Sequence, residues 1–375
     1  MEESTLQWSA SSRSPTRGFR AANDGDGLKT QEPELDMQER ERLDRHGGKN
    51  PSVSLNNSNV AVVVHNSSMG NSMWYWVGRM DDVAQKIFWS AGRHFDYGVS
   101  PSVTLKDSGL VVETHRSQCT HELKYTIGRV DGDFIKWGKP HTYANGTEAS
   151  VAVNNSDTVI VEVHATDDKH IDYKVGEVSA KSIQWSSSSA IGSGTVPRVA
   201  INDDNTVVVV YQSISHCVLM CQIGFVNQMT LYWGRSIEYA SGINGSVCLA
   251  ANNRLVILRQ GLWLDEMLYG VAKVNPRARE IVEEGNIEKC RNRKLCEHEV
   301  PQHVDKVLSS AYWHPSVSIN NQGMVLTVYG GTNSKKGRML WYQVGKIDEM
   351  EDEDDPSTYH ESDDEKYLST PSDEC

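Results

Sequence analysis

One short pattern returns six times along this chain, and it leaves few folds open. It reads Pro51-Ser52-Val53-Ser54-Leu55-Asn56, then Pro101-Ser102-Val103-Thr104-Leu105, then Ser150-Val151-Ala152-Val153-Asn154. It recurs as Pro197-Arg198-Val199-Ala200-Ile201-Asn202, as Ser246-Val247-Cys248-Leu249 and as Pro315-Ser316-Val317-Ser318-Ile319-Asn320. The second residue falls at 52, 102, 150, 198, 246 and 316, in steps of 50, 48, 48, 48 and 70 residues. A period of this size marks a supersecondary unit that buries its apolar face only by stacking on its neighbours.

Each unit reads as four strands. After the first comes an Asn/Asp/Ser/Gly turn (NNSN, KDSG, NNSD, NDDN, NNQG), which is hairpin chemistry. The second strand is almost continuously apolar, as in Val60 to Val64, Leu110 to Val112, Val159 to Val163, Val207 to Val210 and Met324 to Val328. A run without alternation means burial on both faces. The third strand carries Tyr and Gly, at Tyr75-Trp76-Val77-Gly78, Tyr125-Thr126-Ile127-Gly128, Tyr173-Lys174-Val175-Gly176 and Tyr342-Gln343-Val344-Gly345. The fourth ends in Trp89, Trp137, Trp185 and Trp233. These aromatics suit packing between units, about 1.5–3 kcal/mol each. Gly78, Gly128, Gly176, Gly224 and Gly345 suit a bulge or a close backbone approach.

The expected fold is all-β: a six-bladed β-propeller of four-stranded antiparallel blades. The sixth unit stops after its third strand, and Thr5-Leu6-Gln7-Trp8-Ser9 matches the missing fourth. Residues 1–9 are therefore expected to complete the last blade and remove an open edge. Residues 10–49 read as a disordered or partly helical insertion, with a charged helix around Glu34 to Arg45. Residues 50–348 are the propeller, with an insertion at 285–312 in the fifth unit, where Ala272 replaces the Gly and Glu283 the Trp. Residues 349–375 are an acidic tail expected to be disordered.

At these motifs the chain resembles propeller modules with units of the form PSVxxN…VVEVH…LxYxVG…IxWG. Such units are similar to six-bladed lectins and to repeats appended to bacterial phospholipase C-like secreted proteins. The resemblance implies a lectin-like, carbohydrate-binding module. No phospholipase catalytic segment accompanies the repeats.

Charge and motifs narrow the partners. The formal net charge is −13, but residues 349–375 hold twelve Asp/Glu and one Lys, a net of −11, which leaves −2 for the rest. A near-neutral body gives no footprint for nucleic acid. No apolar run is long enough for a transmembrane helix. The opening MEESTLQWSASS lacks a basic and then apolar leader, and seven scattered cysteines form no disulfide framework. A cytoplasmic location is the expectation. GxSxG, P-loop and HExxH motifs are missing, so no enzyme and no cofactor is expected.

One register position gathers candidate ligand contacts. Directly after the second strand stand His65, His115, His164, Tyr211, Arg259 and Tyr329, and two residues earlier stand Glu113 and Glu162. Two readings are open: polar tips beside aromatics that hold a sugar, or one anchor per unit for adjoining loop carbonyls. A hydrolase using Glu113, His115, Glu162 and His164 ranks third. In the fifth unit Cys290, Cys296, His298 and His303 are a weak zinc candidate, since their spacing matches no standard finger. Partners are thus a glycan or a protein; a protein-interaction scaffold tethered by the acidic tail is the alternative to the lectin.

Overall fold

The computed structural model describes residues 35–37, 41–43, 47–214, 217–262, 267–277, 279–282, 306–307, 312–333 and 337–347. Residues 1–9, the tail 349–375 and the four candidate zinc ligands lie outside them. Every regular element among the described residues is a β-strand, and all pairing is antiparallel. There is no helix long and apolar enough to cross a membrane among them.

The first unit shows the common plan. Gly48–Leu55 pairs with Val60–Ser67, which pairs with Ser72–Asp81, which pairs with Lys86–Trp89. The turn closing the first hairpin places Asn59 at φ 58°, and its counterparts Gly109, Asp157, Asn205, Asn253 and Gly323 are also left-handed. Only Gly, Asn and Asp adopt that conformation without strain, which is why the turn sequences are so restricted. Asn56 Oδ1 accepts the N–H groups of Ser58 and Val60 across the same turn, and Asn320 does the same for Gln322 and Met324.

Each unit holds a fifth strand segment, where four were expected, and the first two units share Arg93–Leu105 in one nine-stranded sheet. After Trp89 the chain re-pairs with the first half of the third strand, Arg93 opposite Tyr75 and Tyr97 opposite Ser72, before running on as the inner strand of the next unit. His141–Asn145, Ser189–Ser193 and Ile237–Ser241 repeat this. The third strand is longer than the Trp-bearing strand, so its remaining donors and acceptors need this second partner.

The expected fourth-strand slot of the last unit is filled, by a different segment. Leu35–Met37 pairs with the third strand, Met37 opposite Gly345, and Glu41–Arg42 follows opposite Trp341 and Tyr342. Strands thus stand where a charged helix was expected around Glu34 to Arg45. Met37 occupies the register that Trp89, Trp137, Trp185 and Trp233 hold opposite Gly78, Gly128, Gly176 and Gly224. In those four units the glycine marks a close approach and no bulge: a Cβ on Gly128 would lie 2.7 Å from Trp137 Cε3.

Successive units are joined by hydrogen bonds from the inner strands. Val103 N–H donates to Ser52 Oγ, Val151 to Ser102, Val199 to Ser150, Val317 to Ser246 and Val53 to Ser316. Arg198 stands at the sixth place and has no hydroxyl to repeat the bond. Apolar layers fill the spaces between units, for example Val62, Val64 and Tyr75 against Val103, Leu105 and Ile135. Trp137 stacks on Phe95 and Trp185 on Tyr143, each across a unit boundary.

If these serine bonds join the units, Ser102→Ala should lower stability by about 1 kcal/mol. The expected result is a lower urea midpoint at unchanged slope; an unchanged midpoint would remove the serine from this role.

Candidate functional site

The six polar residues that follow the second strands are packed inside the sheets, none more than 4% exposed. Each of the first five packs closely on a glycine in, or immediately before, its unit's inner strand. A Cβ on Gly48, Gly98, Gly146, Gly194 or Gly242 would come within 2.4–3.0 Å of His65, His115, His164, Tyr211 or Arg259. Those glycines stand four residues before the second motif position, a regularity legible in the sequence.

Their polar tips bond to neighbouring chain. His65 Nδ1 meets Asn66 O at 2.7 Å and its ring stacks on Trp76. Arg259 Nε donates to Ser241 O at 2.8 Å, and Tyr329 OH donates to Gln343 Oε1 at 3.0 Å. The Tyr211 hydroxyl pairs with Ser236 Oγ at 3.1 Å.

The two carboxylate–histidine pairs are fully buried. His115 Nδ1 lies 3.0 Å from Glu113 Oε2, and His164 Nδ1 lies 3.1 Å from Glu162 Oε2. Tyr143 OH from the preceding unit donates to Glu162 Oε1 at 2.9 Å. Asp96, also from a preceding unit, lies 3.8 Å from His115 Nε2. Burial alone would lower the His115 pKa, but the charge and hydrogen bond of Glu113, with Asp96 behind them, outweigh it and hold it above its ordinary value. His164 is raised in the same way by Glu162. Burial pushes Glu113 up, with the His115 charge opposing.

Among the described residues no group of three or more His, Cys, Asp or Glu is arranged to hold a metal ion. Cys119, Cys217, Cys221 and Cys248 are free thiols. Burial pushes the Cys221 thiol up to about 12, which makes it inert.

Two cavities lie between the six inner strands, and Val53, Val103, Val151, Val199, Val247 and Val317 border both. The one at the turn end, about 110 Å³, is edged by Asn57, Asn155, Asn202, Asn321 and Lys106. Lys106 Nζ donates to Asn155 Oδ1 at 3.1 Å, and burial lowers its pKa to about 8 against the charges of Asp203, Asp157 and Asp107. The other, about 60 Å³, is edged by serines of the repeated motif, by Arg198 and by Glu148. None of the six ring residues, nor Glu113 or Glu162, borders either cavity.

An aromatic face lies on the outside of the first unit. The Trp74 and His94 rings meet edge-on at 5.7 Å, and His94 and Tyr97 are 4.7 Å apart. Tyr97 is 60% exposed. Strand pairing sets Trp74 opposite His94 and Ser72 opposite Tyr97, so all three rings share one face. The corresponding positions of the next four units hold Lys124 and Thr142, Asp172 and Ala190, Met220 and Glu238, and Leu268 and Val307, while the last unit pairs Trp341 with Arg42. Periodicity singled out none of these rings, because His94 and Tyr97 follow the fourth strand and meet Trp74 only through the pairing of the fifth segment.

No family model matches the chain, and no curated protein matches it. Solved structures do. A protein of unknown function from Dyadobacter fermentans is 11% identical, with 84% of this chain and 99% of that one covered, at a TM-score of 0.57. The NanB sialidase of Streptococcus pneumoniae is 7% identical over 83% of this chain and 70% of its own, at 0.56. AofleA of Arthrobotrys oligospora is 8% identical over 83% and 88%, at 0.51. The likeness is one of fold. It matches the all-β, antiparallel architecture described above.

The buried pairs make stability depend on pH. A histidine raised on folding contributes stability that is present below its unfolded pKa, about 6.5, and lost as pH rises through the folded value. Glu113→Gln should lower the His115 titration midpoint, followed by NMR, and shrink the stability difference between pH 6 and pH 8. An unmoved midpoint would mean that Glu113 does not set it.

Proposed function

We propose that this chain is a closed six-bladed β-propeller that binds carbohydrate without acting on it, through the Trp74–His94–Tyr97 face of the first unit. Closure is supported by bonds that return from the last unit to the first: Val53 and Leu55 N–H to Ser316 and Ser318, and Asn320 Nδ2 to Asn59 Oδ1. Trp89 also packs edge-on against Tyr342.

The exposed three-ring face carries the functional reading. Sugar C–H faces stack on aromatic rings, while hydroxyls bond to polar tips such as the Tyr97 phenol, the His94 ring nitrogens and Ser72. A large aromatic pair held on a rigid strand edge gives contact area at little entropic cost. The non-catalytic reading is supported by the burial of Glu113, His115, Glu162 and His164, which reach neither cavity. The free thiols, two of them exposed, suit a reducing compartment.

A glycan array probed with the full chain should show weak binding, with Kd of about 0.1–1 mM. Trp74→Ala should weaken it about fivefold or more, by loss of ring stacking, and leave the fold intact because Trp74 is half-exposed. Silence across neutral and acidic glycans, or binding indifferent to Trp74 and Tyr97, would overturn this reading.

A further inference from the structure

The smaller cavity between the inner strands has an unusual rim. Ser52, Ser102, Ser150, Ser246 and Ser316 each accept an N–H from the neighbouring unit, so each hydroxyl proton is left to donate elsewhere. The sixth place holds Arg198, which lies in the cavity enclosed by protein yet half-accessible through it. Its Nη1 donates to the carbonyl of Pro197 at 2.8 Å, a neutral acceptor. Glu148 borders the same cavity, and its Oε2 is buried without a hydrogen-bond partner. Arg198 and Glu148 do not pair: no ion pair joins them among the described residues.

A guanidinium facing neutral hydroxyls is strongly disfavoured unless an anion meets it, and burial lowers its pKa despite the charge of Glu148. A carboxylate oxygen without a donor is costly in the same way. The two defects share one cavity of about 60 Å³, which has room for small polar groups.

Glu148 reaches the rim through a backbone turn that all six units share. Asn50, Ser100, Glu148, Val196, Asn244 and His314 all stand at φ between 50° and 55°, one residue ahead of the Pro, Ala or Gly that precedes each motif position. Glu148 is thereby fixed on the rim, and Val196, a β-branched residue, is held at a conformation it disfavours.

We propose that this mouth binds a hydroxy-carboxylate of the kind carried by a sugar acid, with Arg198 gripping the carboxylate and Glu148 accepting a hydroxyl. A planar guanidinium takes a carboxylate through two parallel N–H bonds, and the serine ring adds further donors. Glu148 sets the requirement for a donor and so rejects plain anions. The site goes beyond the aromatic face, since neither Trp74 nor Tyr97 borders this cavity.

The test is a titration of the full chain, at low salt and followed by ligand-observed NMR, with glucuronate, methyl glucuronide, glucose and acetate. Glucuronate should bind, with glucose and acetate on the order of tenfold weaker or worse. Methyl glucuronide binding as well as glucuronate assigns the site to glycan ends; weaker binding assigns it to free sugar acids. Arg198→Ser restores a hydroxyl to the ring, so that variant should keep its melting temperature while losing about tenfold or more in glucuronate affinity. Glu148→Gln should narrow the gap between glucuronate and acetate. The proposal fails if Arg198→Ser binds glucuronate as the wild type does, or if acetate binds equally well. Trp74→Ala, which tests the aromatic face, should leave glucuronate binding unchanged, so the two readings fail separately.

Discussion

The inner strand of each unit is paired along its length on one side only, so half of its N–H and C=O groups face the neighbouring inner strands and the cavities between them without a ladder. Buried backbone donors left in that state would cost about 1–3 kcal/mol each. The serine of the repeated motif answers this by placing a side-chain acceptor at the N–H of the next unit's valine. One hydroxyl therefore satisfies a donor and joins two sheets. The left-handed residue two positions before the motif serine, and the register shift beside it, bring that hydroxyl to its partner. Much else in the molecule follows from this spacing of inner strands.

Side chains between sheets are matched to the gap so defined. A tryptophan that lies flat against the third strand leaves no room for a Cβ opposite, so Gly78, Gly128, Gly176 and Gly224 are required where Trp is present. The fifth unit lacks both in sequence, Ala272 for the Gly and Glu283 for the Trp, as the pairing logic demands. Where the chain closes its last sheet, Met37 takes the tryptophan's register, and Leu43 and Trp89 both pack against the apolar layer between the last and first units.

The same matching explains why a polar ring can lie inside an apolar stack. His65, His115, His164, Tyr211 and Arg259 cover glycines with their flat faces and turn their heteroatoms to carbonyls, carboxylates or hydroxyls in reach. Glu113 and Glu162 enter only where a histidine two residues on can hold them. Glu113 Oε1 and His115 Nε2 are buried without a hydrogen-bond partner, but none of these groups opens onto either cavity, and groups so enclosed are poorly placed to meet a ligand. Ligand contact is better sought where the repeat is broken: at Arg198, the one non-serine of the motif, and at the aromatic face of the first unit.

The sequence by itself determined the unit: its strands, its left-handed turn and the Gly–Trp pairing, because each depends on neighbours a few residues apart. Even the segment that closes the last sheet left a trace, since nine residues separate Trp89 from Gly98, Trp137 from Gly146, Trp185 from Gly194 and Trp233 from Gly242. Met37 stands eleven before Gly48, a short connection, whereas Trp8 stands forty away. The motif match at Thr5–Ser9 lies outside the described residues, whereas Leu35–Met37, with the shorter connection, pairs in the fourth-strand register. Tertiary structure alone decided which polar groups are accessible. Periodicity places His115 and Arg198 equally well within their units, but burial of one and the cavity before the other arise from sheets more than forty residues apart in the chain, meeting face to face.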